Sequence, residues 1–148
     1  MFYGIFNFRY RMKSEVFEFA LASERSEVSR IEKQIEEINL KFNMEFEKLI
    51  NFQIALSEAL VNAIVHGNKE NKEKKVYVKI EYTDTTLSVT IKDEGKGFDV
   101  SKLADPTKDE NLQKEHGRGI FIIRSLVDKF ECNSSGNGTT FILTIYKK

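Results

Sequence analysis

The hydrophobic positions of this chain follow a period of two in some stretches and a period of three to four in others. Alternation of apolar and polar residues is typical of half-buried strands. It predicts one isolated strand, then a hairpin that turns through residues 83–86, and finally a hairpin that turns through SSGNG. The predicted strands are residues 16–21, 76–82, 87–91, 130–133 and 140–146.

Apolar spacings of three and four residues predict three helices. The first covers residues 26–41 and has a charged outer face. The second is apolar around most of its circumference, with Phe46 among the residues expected to be buried. It should end at Gly67 and Asn68, residue types suited to the left-handed position past a helix end. The third covers residues 120–130, directly after Gly119.

The order of these elements is strand, two helices, hairpin, irregular segment, helix, hairpin. Because strands and helices are segregated in this way, we expect an α+β fold in two layers, with a mixed, mostly antiparallel sheet and the helices on one face. The irregular segment, residues 100–115, is long for a simple connection and is typical of a lid. Residues 1–13 are aromatic and basic, fit neither period, and are assigned to an N-terminal extension ahead of one domain at residues 14–148. A pairing strand, an oligomer contact and a disordered tail all stay open for this extension.

The second helix carries a line of polar residues through its apolar surface. Glu58, Asn62 and His66 are spaced four apart, and four residues advance a side chain by only about 40° around a helix. A buried, unpaired carboxylate costs several kcal/mol, so this line should face water, a ligand or a metal ion. The alternative is that the line is simply the solvent edge of a surface helix.

Composition excludes several classes of protein. The 148 residues include 23 basic and 23 acidic ones, and this zero net charge gives no support for a nucleic-acid or membrane partner. One cysteine and two histidines supply neither an internal disulfide nor a cluster with zinc-ligand spacing. We found no uninterrupted apolar run of membrane-spanning length in the sequence and expect a cytoplasmic location.

Three groups of residues suggest nucleotide chemistry. Asp93 follows a predicted strand and could accept a hydrogen bond from an exocyclic amine, or could instead bond its own backbone as a turn residue. Gly117 and Gly119 flank Arg118 near a helix start, where unpaired amides favour an anion such as phosphate. Asn62 offers a neutral oxygen of the kind that a hard divalent cation accepts, and Glu58 is placed to take a proton.

Four segments of the chain resemble a known set of motifs in order and spacing. SEALVNAIVHGN, DEGKGFD, HGRGIFIIRSLVD and GNGTTF are similar to the N, G1, G2 and G3 boxes of the ATPase superfamily that includes gyrase, histidine kinases and mismatch-repair ATPases. The similarity is greatest to the anti-sigma-factor serine kinases of bacteria and covers residues 14–148. It implies a Bergerat-type ATP-binding fold with Mg-ATP held between the long helix and the lid.

The resemblance also implies roles for individual residues. Asn62 would bind Mg²⁺ and Glu58 would be the catalytic base, while Asp93 would accept the adenine amino group. The remaining positions would shape the nucleotide site: Gly95 and Gly97 at the base, Gly117, Arg118 and Gly119 at the phosphates, and Thr139, or its neighbour Thr140, near adenine.

Kinases of this kind bind and silence a sigma factor, often as homodimers, and phosphorylate a serine on a small anti-anti-sigma protein. The resemblance therefore implies two protein partners and no direct contact with nucleic acid. Two other activities stay open at this point. One is a nucleotide-binding module that regulates a partner by contact without phosphoryl transfer, and the other is an ATPase in which Glu58 orients water.

Overall fold

The computed structural model describes residues 13–99 and 115–148. Its elements are the strand β1 (Glu15–Ala22), the helices α1 (Glu27–Phe42) and α2 (Phe46–Val61), a π-helical turn (Asn62–Gly67), the hairpin β2 (Lys75–Tyr82) and β3 (Thr86–Lys92), the helix α3 (Glu115–Leu126), and the hairpin β4 (Lys129–Ser135) and β5 (Gly138–Tyr146). This is the predicted order. The predicted lid and most of the predicted N-terminal extension lie outside the described residues.

The five strands form one sheet in the order β1-β2-β3-β5-β4. All four pairings between them are antiparallel, with Phe19 opposite Val78 and Val89 opposite Leu143. The predicted fold class is therefore confirmed, and the described sheet is wholly antiparallel.

The core lies between one face of this sheet and the three helices. Alternate strand residues such as Val78, Val89 and Leu143 are buried, whereas Tyr77 and Lys79 on the other face are exposed. The helix α2 is central: it packs against both α1 and α3 and contacts β5. Its fully buried side chains include Phe52, Leu56 and Leu60.

Several predicted boundaries were wrong. Phe46 is 77% exposed because it lies in the first turn of α2, beyond the edge of the core. The left-handed residues after the long helix are Lys69 and Glu70, each with φ of 55°, rather than Gly67 and Asn68. The helix α3 begins at Glu115 and ends at Leu126, and Phe130 belongs to β4, where its ring packs against Phe141.

The continuous helical stretch Phe46–Gly67 is long and apolar enough to cross a membrane by length and composition alone. It is not an uninterrupted apolar run, because it includes charged residues such as Glu47, Lys48 and Glu58. In this fold the stretch is the central helix of the core, which accounts for its apolar composition.

Candidate functional site

A cavity of about 370 Å³ opens beside the π-helical turn, at the end of β3 and the start of β5. Two residues of the polar line, Asn62 and His66, lie in its wall, together with Asp93. The other lining residues are Gly67, Lys69, Lys74, Lys96, Gly97, Phe98, Thr139 and Phe141. Three separate segments of the sequence therefore meet at one cavity.

Asp93 is the buried carboxyl group of this cavity, with only 3% of its surface exposed. Its Oδ1 accepts hydrogen bonds from the backbone N–H groups of Gly95 (2.9 Å) and Thr139 (3.1 Å), and its own N–H donates to the Thr139 carbonyl (3.0 Å). Burial raises the pKa of Asp93 above its ordinary value, against the opposing effects of these N–H groups and of Lys74. Oδ1 thus binds the local backbone, as expected of a turn residue, and the hydrogen bond from an exocyclic amine stays a prediction.

Glycines allow the backbone to pass close to Asp93. A Cβ on Gly67 would lie 2.2 Å from Asp93 Oδ2, and one on Gly95 would lie 2.3 Å from the Gly67 carbonyl oxygen. Gly97 has φ of +73°, a conformation that other residues rarely adopt. The close packing of Gly67 and Gly95 fixes the end of the π-helical turn against the turn that follows β3.

Asn62 begins the π-helical turn, in which the Asn68 N–H donates to the Ala63 carbonyl five residues earlier (2.8 Å). Turns of this kind are frequent at functional sites. The Asn62 side chain is buried, and its Nδ2 donates to the Glu58 carbonyl (3.1 Å). Its Oδ1 is also buried but has no hydrogen-bond partner among the described residues. Because an unpaired buried acceptor is costly, this oxygen is suited to a ligand or cation.

Glu58 does not line the Asp93 cavity. Its side chain lies at the end of a groove between α1 and α2, one helical turn before Asn62. Gly119 of α3 packs over both residues: a Cβ on Gly119 would lie 2.7 Å from Asn62 Nδ2 and 3.3 Å from Glu58 Oε2. The polar line of α2 is thus covered by α3 at Gly119, with Asn62 on the cavity side and Glu58 on the groove side.

The other predicted site residues lie at or near this junction. Gly117 is in the first turn of α3, and Arg118 next to it is exposed. Thr139 is buried in the cavity wall, where its Oγ1 is hydrogen-bonded with Ser134 (2.8 Å). Thr140 is the next residue of the strand and so faces the other side of the sheet. Of the two threonines, only Thr139 lines the cavity.

Sequence reasoning missed the lysines of the cavity wall and two residues that support it. Lys69 and Lys74 come from a mixed-charge loop that was assigned no role, and no periodicity distinguishes them from solvated lysines. Ser134 was likewise counted only as a turn residue, although its Oγ accepts a hydrogen bond from the Phe98 N–H (2.8 Å). Gly138 could have been found from its position beside Thr139, since a Cβ there would lie 2.2 Å from the Asp93 carbonyl oxygen.

Comparison with known proteins identifies the family. Residues 21–145 match the family model described as the histidine kinase-like ATPase domain. The chain is 32% identical over 138 residues to the anti-sigma F factor of Bacillus subtilis (strain 168), covering 90% of this chain and 92% of that protein. It is 29% identical over 143 residues to the serine-protein kinase RsbW of Staphylococcus aureus (strain JH9), covering 92% of this chain and 89% of that protein.

Solved structures show the same fold at lower sequence identity. The RsbU and RsbW domains of Rv1364c from Mycobacterium tuberculosis give a TM-score of 0.65 at 16% identity, covering 88% of this chain and 32% of that chain. The catalytic domain of the histidine kinase ThkA gives a TM-score of 0.56 at 20% identity, covering 90% of this chain and 96% of that chain. The chain belongs to the histidine kinase-like ATPase family and, within it, to the anti-sigma-factor serine-protein kinases.

Proposed function

We propose that this chain is an ATP-dependent protein serine kinase that also acts as an anti-sigma factor. The observation that carries the proposal is the unpaired buried Oδ1 of Asn62, which lies between the Asp93 cavity and the Glu58 carboxylate. The names of the two curated relatives, an anti-sigma factor and a serine-protein kinase, agree with both parts of the proposal.

The Asp93 cavity is proposed to hold the adenine ring of ATP. Oδ1 of Asp93 already accepts two backbone hydrogen bonds, so Oδ2 is the oxygen left to accept one from the exocyclic amine. Gly95 and Gly97 keep the turn after β3 close to the base, and Thr139 also lines the cavity. Gly117, Arg118 and Gly119 at the start of α3 are proposed to face the phosphates, where helix amides and a guanidinium favour negative charge.

Asn62 is proposed to bind the Mg²⁺ that accompanies the nucleotide. A side-chain carbonyl oxygen is a ligand type that Mg²⁺ accepts, and the ion usually takes its other ligands from phosphates and water. The described residues contain no cluster of three His, Cys, Asp or Glu side chains, which agrees with a site of few protein ligands. When bound, Mg-ATP supplies a γ-phosphate whose negative charge the metal partly neutralises.

Glu58 is proposed to be the general base. It would accept the proton of a partner serine hydroxyl as the serine Oγ forms its bond to the γ-phosphorus and the bond from that phosphorus to the ADP oxygen breaks. Gly119 leaves room for this, since a larger residue there would press on both Asn62 and Glu58. The hydrogen bond from Asn62 to the Glu58 carbonyl keeps the two residues in fixed relative positions.

The proposed protein partners are a sigma factor, which the chain would bind and silence, and a small anti-anti-sigma protein, which would supply the serine. Both partners would meet the chain in the cytoplasm, with the chain as a homodimer and without direct contact to nucleic acid. The name of the anti-sigma F factor supports the sigma-factor partner, and the name of the serine-protein kinase supports a partner that supplies a serine.

One observation favours a second candidate function. Glu58 lines the α1–α2 groove and not the nucleotide cavity, so a bound nucleotide could lie out of reach of this carboxylate. The chain would then be a nucleotide-binding module that regulates its partner by contact. In an ATPase, water would take the place of the serine hydroxyl, and the Glu58 carboxylate would have to lie as close to the γ-phosphate as in the kinase.

The three activities differ in where the γ-phosphate goes. We would incubate the purified chain with γ-labelled ATP, Mg²⁺ and dephosphorylated cell extract of its own source, then identify labelled serine peptides by mass spectrometry. A kinase labels a small protein on serine, and Glu58→Gln abolishes the label while Glu47→Gln, an exposed glutamate of the same helix, does not. Release of inorganic phosphate alone indicates an ATPase, and neither product indicates the binding module.

A further inference from the structure

The groove between α1 and α2 has an unusual distribution of charge. Glu32 and Glu36 of α1 and Glu58 of α2 line it, and none of its lining residues is Lys, Arg or His. The groove has a volume of about 410 Å³, and its remaining lining residues are Ile50, Gln53, Ile54 and Ser57. Three carboxylates without a cation among the lining residues are suited to a basic occupant.

Gln53 adds an unsatisfied hydrogen-bond acceptor to this groove. Its Nε2 donates to the Glu32 carbonyl (3.1 Å), which ties the two helices together and fixes the orientation of the amide. Its Oε1 is buried and has no hydrogen-bond partner among residues 13–99 and 115–148. A buried acceptor is normally paired, so the groove lacks a hydrogen-bond donor as well as a positive charge.

An apolar stripe continues from the groove along α2. Phe46, Ile50 and Ile54 are spaced four apart and are 77%, 43% and 45% exposed, and Leu40 at the end of α1 is 86% exposed. Apolar side chains scattered singly on a surface need no explanation, but a row of three on one helix face is typical of a contact surface. An occupant should therefore be aromatic or aliphatic as well as basic.

Residues 1–12, which lie outside the described residues, are both aromatic and basic, as such an occupant should be. The segment MFYGIFNFRYRM contains five aromatic residues, two arginines and no acidic residue. Its aromatic residues suit the stripe, and Arg9 and Arg11 suit the three carboxylates and the free Gln53 oxygen, since a guanidinium offers five N–H donors and no acceptor.

The segment also joins the described chain at the correct place. Glu15, the first residue of β1, lies 3.9 Å from Lys41 in the last turn of α1, measured from Oε1 to Nζ. The chain therefore enters the fold beside the α1–α2 connection, at the Phe46 end of the stripe. Twelve extended residues span up to about 40 Å, whereas the 16 residues of α2 rise only about 24 Å.

We propose that residues 1–12 dock in the α1–α2 groove of their own chain. In this arrangement the aromatic side chains cover Phe46, Ile50 and Ile54, and the arginines pair with Glu32 and Glu36. The docking does not depend on the proposed function.

A spin label on the segment tests the docking without any assay of activity. We would replace Cys132 with Ser, attach the label at Gly4→Cys, and record isoleucine methyl signals of the full chain. We expect strong broadening of Ile50 and Ile54 that does not change on dilution, and none of Ile142, which lies on the other face of the sheet. Absence of broadening at Ile50 and Ile54 overturns the proposal. So does broadening seen only when spin-labelled chains are mixed with isotope-labelled ones, because the occupant is then a second copy.

A charge exchange tests the pairing. Arg9→Glu with Arg11→Glu should abolish the broadening, and adding Glu32→Lys with Glu36→Lys should restore it. As a control, Glu18→Lys with Glu131→Lys, at two exposed positions on the sheet, should not restore the broadening when added to the arginine variant. If the arginine variant keeps its broadening, the charge pairing is wrong. Circular dichroism of each variant would verify that the fold is intact.

Discussion

At the scale of single residues, Asp93 combines a structural position with the proposed ligand-binding position in one carboxyl group. One oxygen accepts two backbone hydrogen bonds, and the side chain is buried in the cavity wall. Asparagine has the same shape and can keep the carbonyl oxygen on those two N–H groups. Its second atom becomes a donor, which cannot accept a hydrogen bond from an adenine amine.

We therefore expect Asp93→Asn to weaken ATP binding by tenfold or more, which corresponds to a loss of about 1.4 kcal/mol or more in binding free energy. The stability of the unliganded chain should not fall. Because burial raises the pKa of Asp93, its ionisation opposes folding, and this cost appears as the pH rises from the ordinary value of 3.8 through the raised pKa. The variant should thus gain relative stability between acidic and neutral pH in urea unfolding. A variant that loses stability at pH 7 would show that the carboxylate is needed for the fold.

Gly119 is the contact between α3 and the polar line of α2. In Gly119→Ala the added methyl group would lie 2.7 Å from Asn62 Nδ2, so the buried amide must move away from its bond to the Glu58 carbonyl. We expect Mg-ATP affinity to fall about tenfold by calorimetry, equivalent to one hydrogen bond or ligand lost. Gly136→Ala is the matched control, because a Cβ there meets nothing within 4 Å. Equal affinities for the two variants would exclude Asn62 from the site.

At the scale of elements, the fully buried Asn68 joins four segments. Its Nδ2 donates to Ser23 Oγ (3.0 Å) after β1 and to the Lys75 carbonyl (3.0 Å) at the start of β2. Its Oδ1 accepts from the Glu94 N–H (2.8 Å), beside Asp93. The π-helical turn is thereby attached to the ends of β1, β2 and β3 that lie nearest the cavity.

Asn68→Asp should therefore be strongly destabilising, since a carboxylate cannot make the two donated bonds and is itself buried. We expect the free energy of unfolding to fall by about 2–4 kcal/mol. In Asn71→Asp, an exposed position where the side chain only accepts a bond from the Glu73 N–H, the change should stay within about 0.5 kcal/mol. Urea unfolding of the two variants compares them directly, and similar losses would contradict this role of Asn68.

The elements themselves could largely be predicted, because alternation in β2 and β3 and the spacing in α1 reflect burial on one face. The π-helical turn could not, since residues 62–67 have the same apolar pattern as the helix before them and the extra residue in the turn depends on contacts with the Asp93 turn. The helical spacing also placed Glu58 and Asn62 on one line. It could not predict that Gly119 of α3 packs over both residues, so that Asn62 lines the cavity and Glu58 lines the α1–α2 groove. The start of α3 was predicted late because Gly117 and Gly119 suggest a helix boundary, although here they lie within the helix.

At the scale of the whole molecule, the three described helices lie on one face of the sheet, and the nucleotide site proposed here lies between that layer and the end of β3 and start of β5. The motifs that predicted the family come from α2, the turn after β3, the start of α3 and the start of β5. They are far apart in sequence and adjacent in space only through this packing. A ligand that binds among them should therefore stabilise the fold as a unit.

Thermal unfolding with and without Mg-ATP tests the central claim, that this junction is a nucleotide site, most directly. At a hundredfold excess over the dissociation constant, binding adds about 2.7 kcal/mol of stability, which raises Tm by several degrees in a domain of this size. We expect this rise for the wild type and for the control Asn51→Ala on the same helix, and a much smaller one for Asn62→Ala. If Mg-ATP leaves the wild-type Tm unchanged, or shifts Asn62→Ala as far as the wild type, the site assigned here is wrong.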